Sequence, residues 1–143
     1  MKNDGLAALE PLIGEWEYTI YNAWFLESMD TTMMGRYTIE RLHGAFVVVR
    51  GEFEGKPDDF LVIGYSDPRA KYQVFSYDQR GVARIFNMTF DGTEWRYWRE
   101  DPDFHQRFVA QVSKDRIQAY TEASEDEGKT WRKDFDITYV RVS

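Results

Sequence analysis

From Gly14 onward apolar and polar residues alternate, Trp16, Tyr18 and Ile20 interleaving with Glu15, Glu17 and Thr19. A period of two belongs to a β-strand with one face toward a core and the other toward water. The same rhythm returns down the chain and predicts about ten strands. They fall near Gly14 to Asn22, Met33 to Leu42, Phe46 to Glu54, Phe60 to Ser66, Tyr72 to Tyr77, Val82 to Phe90, Thr93 to Arg99, Phe104 to Val112, Arg116 to Ser124 and Thr130 to Val142. No stretch after Leu12 reads as a helix. Up to it, Leu6, Leu9 and Leu12 stand at helical spacing behind Asp4, a candidate N-cap, in a short helix closed off around Pro11. That short helix is suited to plugging one end of the fold.

Almost every connection is hairpin-short and rich in turn residues: His43-Gly44, Gly55-Lys56-Pro57, Asp78 to Gly81, Asp91-Gly92 and Glu125 to Gly128. A meander of this length closes rather than leaving edges. The expected fold is therefore all-β: a closed antiparallel up-and-down β-barrel of about ten strands with a short N-terminal helix, one domain over residues 1–143.

Register follows from the turns. A two-residue turn at Asp91-Gly92 pairs Met88 with Trp95, Phe86 with Tyr97 and Arg84 with Arg99 on one inward face. The last strand sorts Phe135, Ile137, Tyr139 and Arg141 inward. Phe46 to Val49 is apolar on both faces, and a three-residue turn before it sends Val47, Val49 and Phe53 inward, in step with Tyr37 and Ile39. One long connection, Ala23 to Thr32, carries Trp24, Phe25, Leu26 and Met29, and apolar residues in a loop suggest a lid.

The chain has 143 residues, a formal charge of -7, no cysteine and an aromatic share of 17%. Negative charge argues against a nucleic-acid partner, and the lack of cysteine removes disulfides and thiolate chemistry. Large rings favour strands and line cavities wider than an aliphatic core needs. Neither a signal-peptide run nor a membrane span is evident, so a cytoplasmic protein with no membrane partner is expected.

A Gly-x-Trp at Gly14 and Trp16 opening the first strand, with Arg141 near the end of the last, resembles the calycin superfamily of lipocalins, fatty-acid-binding proteins and nitrobindin-like barrels. The resemblance implies that Trp16 closes the bottom of the barrel and that Arg141 packs across it. A longer series is similar to a bacterial lipocalin-like family of unknown function: Leu42 to Phe46, Ile63 to Asp67, Tyr77-Asp78 ahead of Gly81, Ser124 through Gly128 to Trp131, and Tyr139 to Arg141. Lipocalins proper have eight strands, a signal peptide and disulfides, so a secreted carrier is not expected here. Haem-binding members use a late-strand His, and no His follows His105, so haem is not expected either.

Chemistry-bearing residues are few. His43 sits at a hairpin tip and His105 on a polar strand face, and no third ligand completes a metal site. Asp58-Asp59, Asp101 with Asp103, and Glu125 to Glu127 read as solvated turns. Arg84 and Arg99 are more informative, since two inward cations side by side repel unless a counter-charge separates them. They either reach solvent or pair with Glu100, Asp101 or Asp78, or else they hold an anion. Tyr18, Tyr37, Tyr97 and Tyr139 point inward, to orient a ligand or to fill the core. Trp24 and Phe25 serve as lid, as homodimer contact or as packing.

The expectation is a barrel that binds a small apolar or amphiphilic acid, with Arg84 and Arg99 on its acid group. Phe86, Met88, Trp95, Tyr97, Tyr18, Tyr37, Trp24 and Phe25 complete the wall; no catalytic residue, metal or cofactor is assigned. The alternatives are a lipocalin-like enzyme of acid decarboxylase or isomerase type, and a filled barrel acting as an interaction or dimerisation module.

Overall fold

The computed structural model describes residues 4–143. Met1 to Asn3, where the segment read as leaderless begins, lie outside the described residues. Ten strands succeed one another: β1 (Gly14–Tyr21), β2 (Met33–Leu42), β3 (Phe46–Phe53), β4 (Lys56–Ser66), β5 (Lys71–Asp78), β6 (Ala83–Phe90), β7 (Glu94–Glu100), β8 (His105–Val112), β9 (Arg116–Ser124) and β10 (Arg132–Arg141). Each pairs antiparallel with the next, and β10 returns to β1 through Trp16 opposite Arg141, Tyr18 opposite Tyr139 and Ile20 opposite Ile137. The sheet is thus a closed up-and-down barrel.

The predicted helix is present in two pieces, α1 (Asp4–Ala7) and a single 3-10 turn (Glu10–Leu12). Pro11 sits at the start of that turn, where no backbone N–H is required of it. Leu6, Leu9 and Leu12 are all fully buried and join Trp16, Val47, Ile63 and Ile117 in the core, so the segment does plug one end.

That end is locked by Arg141. Its guanidinium lies 4.1 Å from the Trp16 ring centroid and donates to the carbonyls of Ile13 at 2.7 Å, Pro11 at 2.9 Å and Lys114 at 2.7 Å. The Trp16 indole N–H bonds the Leu12 carbonyl at 3.0 Å. Gly14 makes the approach possible: a Cβ there would collide with Arg141 Nη1, and its φ of 144° suits glycine alone.

One expected register holds, one is corrected, and one strand begins earlier than expected. The turn before β3 has three residues, with Leu42 opposite Phe46, and Val47 and Val49 enter the core as expected. The β6–β7 turn is longer than two residues, because the Asp91 side chain accepts from the N–H groups of Thr93 at 2.9 Å and Glu94 at 2.7 Å and so holds the loop open. Phe90 therefore faces Trp95 and Met88 faces Tyr97, a shift of two that keeps every side chain on its face and takes Arg84 out of register with Arg99, although both guanidiniums lie against the Phe104 ring. In addition, β4 begins at Lys56, so Asp58 and Asp59 lie in a strand rather than a solvated turn.

Trp16→Ala removes a fully buried ring and should cost about 3 to 5 kcal/mol in chemical denaturation. Arg141→Lys should cost about 1 to 3 kcal/mol, because one ammonium cannot reach three carbonyls and cover the ring together.

Candidate functional site

The core does not fill the barrel. Beyond the plugged half lies a cavity of about 730 Å³, opening beneath the Ala23 to Thr32 connection. Its floor is Tyr37, Asp59, Leu61, Tyr97 and Tyr139, residues that also roof a void of about 10 Å³ over Ile39, Val49, Trp95 and Ile117.

Asp59 reaches the floor through an irregularity. Arg50 pairs with Phe60 and Glu52 with Pro57, so two steps along β3 match three along β4, and the extra residue lies opposite Gly51. Such a bulge re-aims a side chain. The missing Cβ of Gly51 leaves room for the carboxyl; one built there would collide with Asp59 Oδ1 and stand 2.9 Å from Tyr37 Cε1. Oδ2 accepts from the Tyr37 hydroxyl at 2.8 Å, while Oδ1 is buried without a partner. Burial raises the Asp59 pKa to about 6, helped by the charges of Asp58 and Asp78 and opposed by the Tyr37 bond. Tyr37, Tyr97 and Tyr139 are themselves held well above the ordinary phenol value, first by burial and then by neighbouring Asp59 and phenols.

The rings form a continuous wall. Tyr37 stands 4.9 Å from Tyr18 and 5.4 Å from Tyr139. Tyr97 stacks on Phe108 at 4.4 Å and meets Phe86 edge-on at 5.2 Å.

At the mouth, three arginines are treated differently. Arg80 pairs with Asp78 at 2.7 Å. Arg99, only 6% exposed, is held by Asp101 at 2.7 Å, Asp103 at 3.0 Å and the Phe104 carbonyl at 3.3 Å. Arg84 lies over the Phe104 ring at 4.9 Å and lines the cavity, yet it has no ion-pair partner among the described residues. Burial, then repulsion from Arg99 and Arg80, lowers its pKa from the usual arginine value.

The sequence-predicted residues therefore divide. Arg84, Phe86, Tyr97, Tyr37, Trp24 and Phe25 line the cavity. Trp95 and Met88 lie in the filled core, Tyr18 stands behind Tyr37, and Arg99 is neutralised beside the rim by Asp101 and Asp103, which are not idle turn residues. Trp24 and Phe25 are 58% and 48% exposed. They are tied to the start of β10, Trp24 by a 3.0 Å bond to Asp134 and Phe25 edge-on to Phe135 at 5.7 Å. Asp58, Asp59, Ser76, Gln106 and Thr121 also line the cavity and were missed. A glycine inside a strand, Gly51, was the available signal, since it marks a close approach or a bulge.

His43 is exposed at its hairpin tip, and His105 lies 6.4 Å from Trp131 outside the cavity. No cluster of three or more His, Cys, Asp or Glu suited to a metal occurs among the described residues. Nor is any described helix long and apolar enough to cross a membrane.

These features define a closed ten-stranded barrel, plugged at one end and hollow at the other, with an arginine at its mouth, Arg84, that has no ion-pair partner among the described residues. The fold is similar to the crystal structure of Rv2717c from M. tuberculosis, with a TM-score of 0.68 over 99% of each chain at 11% sequence identity. No protein-family model matches the chain, and no curated protein matches it.

Because folding raises the Asp59 pKa, the folded chain holds that proton where the unfolded chain has released it, and stability falls as pH rises from about 3.8 to about 6. Asp59→Asn should remove this slope, gaining about 2 to 3 kcal/mol on the wild type between pH 4 and pH 8 in denaturant titrations. Gly51→Ala should destabilise by about 1 kcal/mol at either pH, since the added methyl collides with the Asp59 carboxyl and displaces it from the Tyr37 hydroxyl.

Proposed function

We propose that this chain is a calycin-type, small-molecule-binding barrel that holds an amphiphilic acid in its hollow half, with the acid group at Arg84. The observation that carries the reading is a cavity-lining guanidinium with no ion-pair partner among the described residues, while both neighbouring arginines have one. A guanidinium so placed favours an incoming carboxylate through short, charge-assisted hydrogen bonds. Phe86, Leu61, Ile137 and Phe135 supply the apolar wall, as is usual for pockets in barrel mouths. The Gly14 to Trp16 opening and the Arg141 contact support the calycin likeness, and the ligand, not nucleic acid, is the partner in this reading. A cytoplasmic location belongs to it as well.

A second reading, acid–base catalysis on the bound acid, is favoured by one feature: a carboxyl of pKa about 6 hydrogen-bonded to a phenol inside the cavity. It requires slow turnover of a bound acid that disappears in Asp59→Asn. The filled-barrel alternative does not fit a hollow half of this volume.

Calorimetric titration of matched acid and amide ligands is the test of the first reading. The acid should bind more tightly, and Arg84→Ala should weaken acid binding about ten- to a hundredfold while leaving the amide unchanged, since each such bond contributes roughly 1.5 to 3 kcal/mol. Arg99→Ala should act through stability of the rim, not through acid preference. Equal affinities of acid and amide for the wild type would remove the reading.

A further inference from the structure

The floor of the cavity is polar, which a carrier of plain hydrocarbon chains does not need. Thr121 is 8% exposed, lines the cavity, and its hydroxyl is buried without a hydrogen bond. Tyr139, 7% exposed, and Tyr97 line the same space, and neither hydroxyl has a hydrogen-bond partner among the described residues. Beside them stands Asp59, with Oδ2 bonded to Tyr37 and Oδ1 unpartnered. Closing a methyl-ended chain over the two phenol hydroxyls would strip them of water and leave the unpartnered Thr121 hydroxyl and Asp59 Oδ1 as they are, which disfavours such a ligand.

We propose that the hollow half is a two-ended site for an acid that carries a neutral hydroxyl at its far end. Arg84 holds the acid at the mouth, and the Tyr97, Tyr139, Thr121 and Asp59 groups receive the hydroxyl at the floor. This rests on the acid reading above and adds the class of acid. The orientation follows from charge: Asp59 at the floor repels an anion, while at the mouth Asp58 and Asp78 stand beside Arg80, so the acid group stays at the mouth, where Arg84 lacks an ion-pair partner among the described residues. A hydroxyl suits the floor because it both donates and accepts. It can donate to the Asp59 carboxylate and accept from a phenol, whereas a second carboxylate meets a like charge. The site is thus complementary to ω-hydroxy or comparable oxygenated acids and selects against simple fatty acids and diacids.

The span from mouth to floor is matched by testing a series of chain lengths. Straight-chain acids from hexanoic to dodecanoic are titrated beside their ω-hydroxy counterparts and the corresponding dicarboxylic acids at pH 8. They are tested against wild type, Tyr139→Phe, Tyr97→Phe, Asp59→Asn and Arg84→Ala. At the length that spans the cavity the ω-hydroxy acid should bind about ten- to a hundredfold more tightly than its parent, and the diacid more weakly than either. Each floor variant should reduce that preference without weakening the parent acid, which also reports that the variant is folded. Arg84→Ala should weaken both acids together and leave their ratio intact. Parent acids binding as tightly as hydroxy acids at every length would overturn the polar-end proposal. If Arg84→Ala then still weakened both, the acid reading would stand without it. A hydroxyl preference that survives while Arg84→Ala changes nothing would keep the floor and remove the mouth. Failure of every acid to bind would remove both.

Discussion

The barrel depends on how its two ends of chain are joined. Arg141 contributes one guanidinium that caps three carbonyls belonging to the plug and to the β8–β9 turn, and it lays its flat face on the fully buried Trp16 ring. β1 and β10 would otherwise be the two edges of an open sheet, each with a row of unpaired backbone groups. With the edges paired and the plug of Leu6, Leu9 and Leu12 seated beneath them, one end of the barrel is dry and close-packed. All the strands are therefore held at a fixed spacing at that end, and the other end stays open without collapsing.

This division of labour explains where the awkward groups sit. A carboxyl with one oxygen unpartnered and a threonine hydroxyl without a hydrogen bond are features that lower stability, and phenols kept protonated by burial stand beside them. They gather at the boundary between the filled and hollow halves, not at random through the interior. The bulge in β4 and the bare backbone of Gly51 show local geometry bent to place Asp59 there. Sites that cost stability and are held by specific backbone devices are the places where binding or chemistry is sought first.

Electrostatics at the mouth follows the same logic. The chain carries a charge of -7, and its acidic residues suffice to neutralise Arg80 through Asp78 and Arg99 through Asp101 and Asp103. Arg84 is left over. One cation without an ion-pair partner among the described residues, at the rim of an otherwise acidic protein, draws an anionic group to one point and leaves the floor to recognise something neutral.

Much of the fold was legible in the chain because a period of two and hairpin-length turns depend only on local sequence. The strand alternation, the plug leucines, the inward phase of Arg141 and the end of the barrel carrying Trp24 and Phe25 all come from such local rules. Shifting β6 against β7 by two residues left each face unchanged, so Phe86 and Tyr97 were placed on the cavity side even though their pairing was misjudged. What local pattern could not decide is anything that depends on which side chains meet across the barrel. Asp59 looked like a turn residue beside Pro57, and only the extra residue opposite Gly51 turns it inward. Arg84 and Arg99 were indistinguishable in sequence, and only the fold of the β7–β8 connection gives one of them two ion pairs with aspartates, while the other has none among the described residues. Whether the barrel was hollow or filled was likewise a matter of volume. That is a sum over residues far apart in the chain, settled when ten strands close around them.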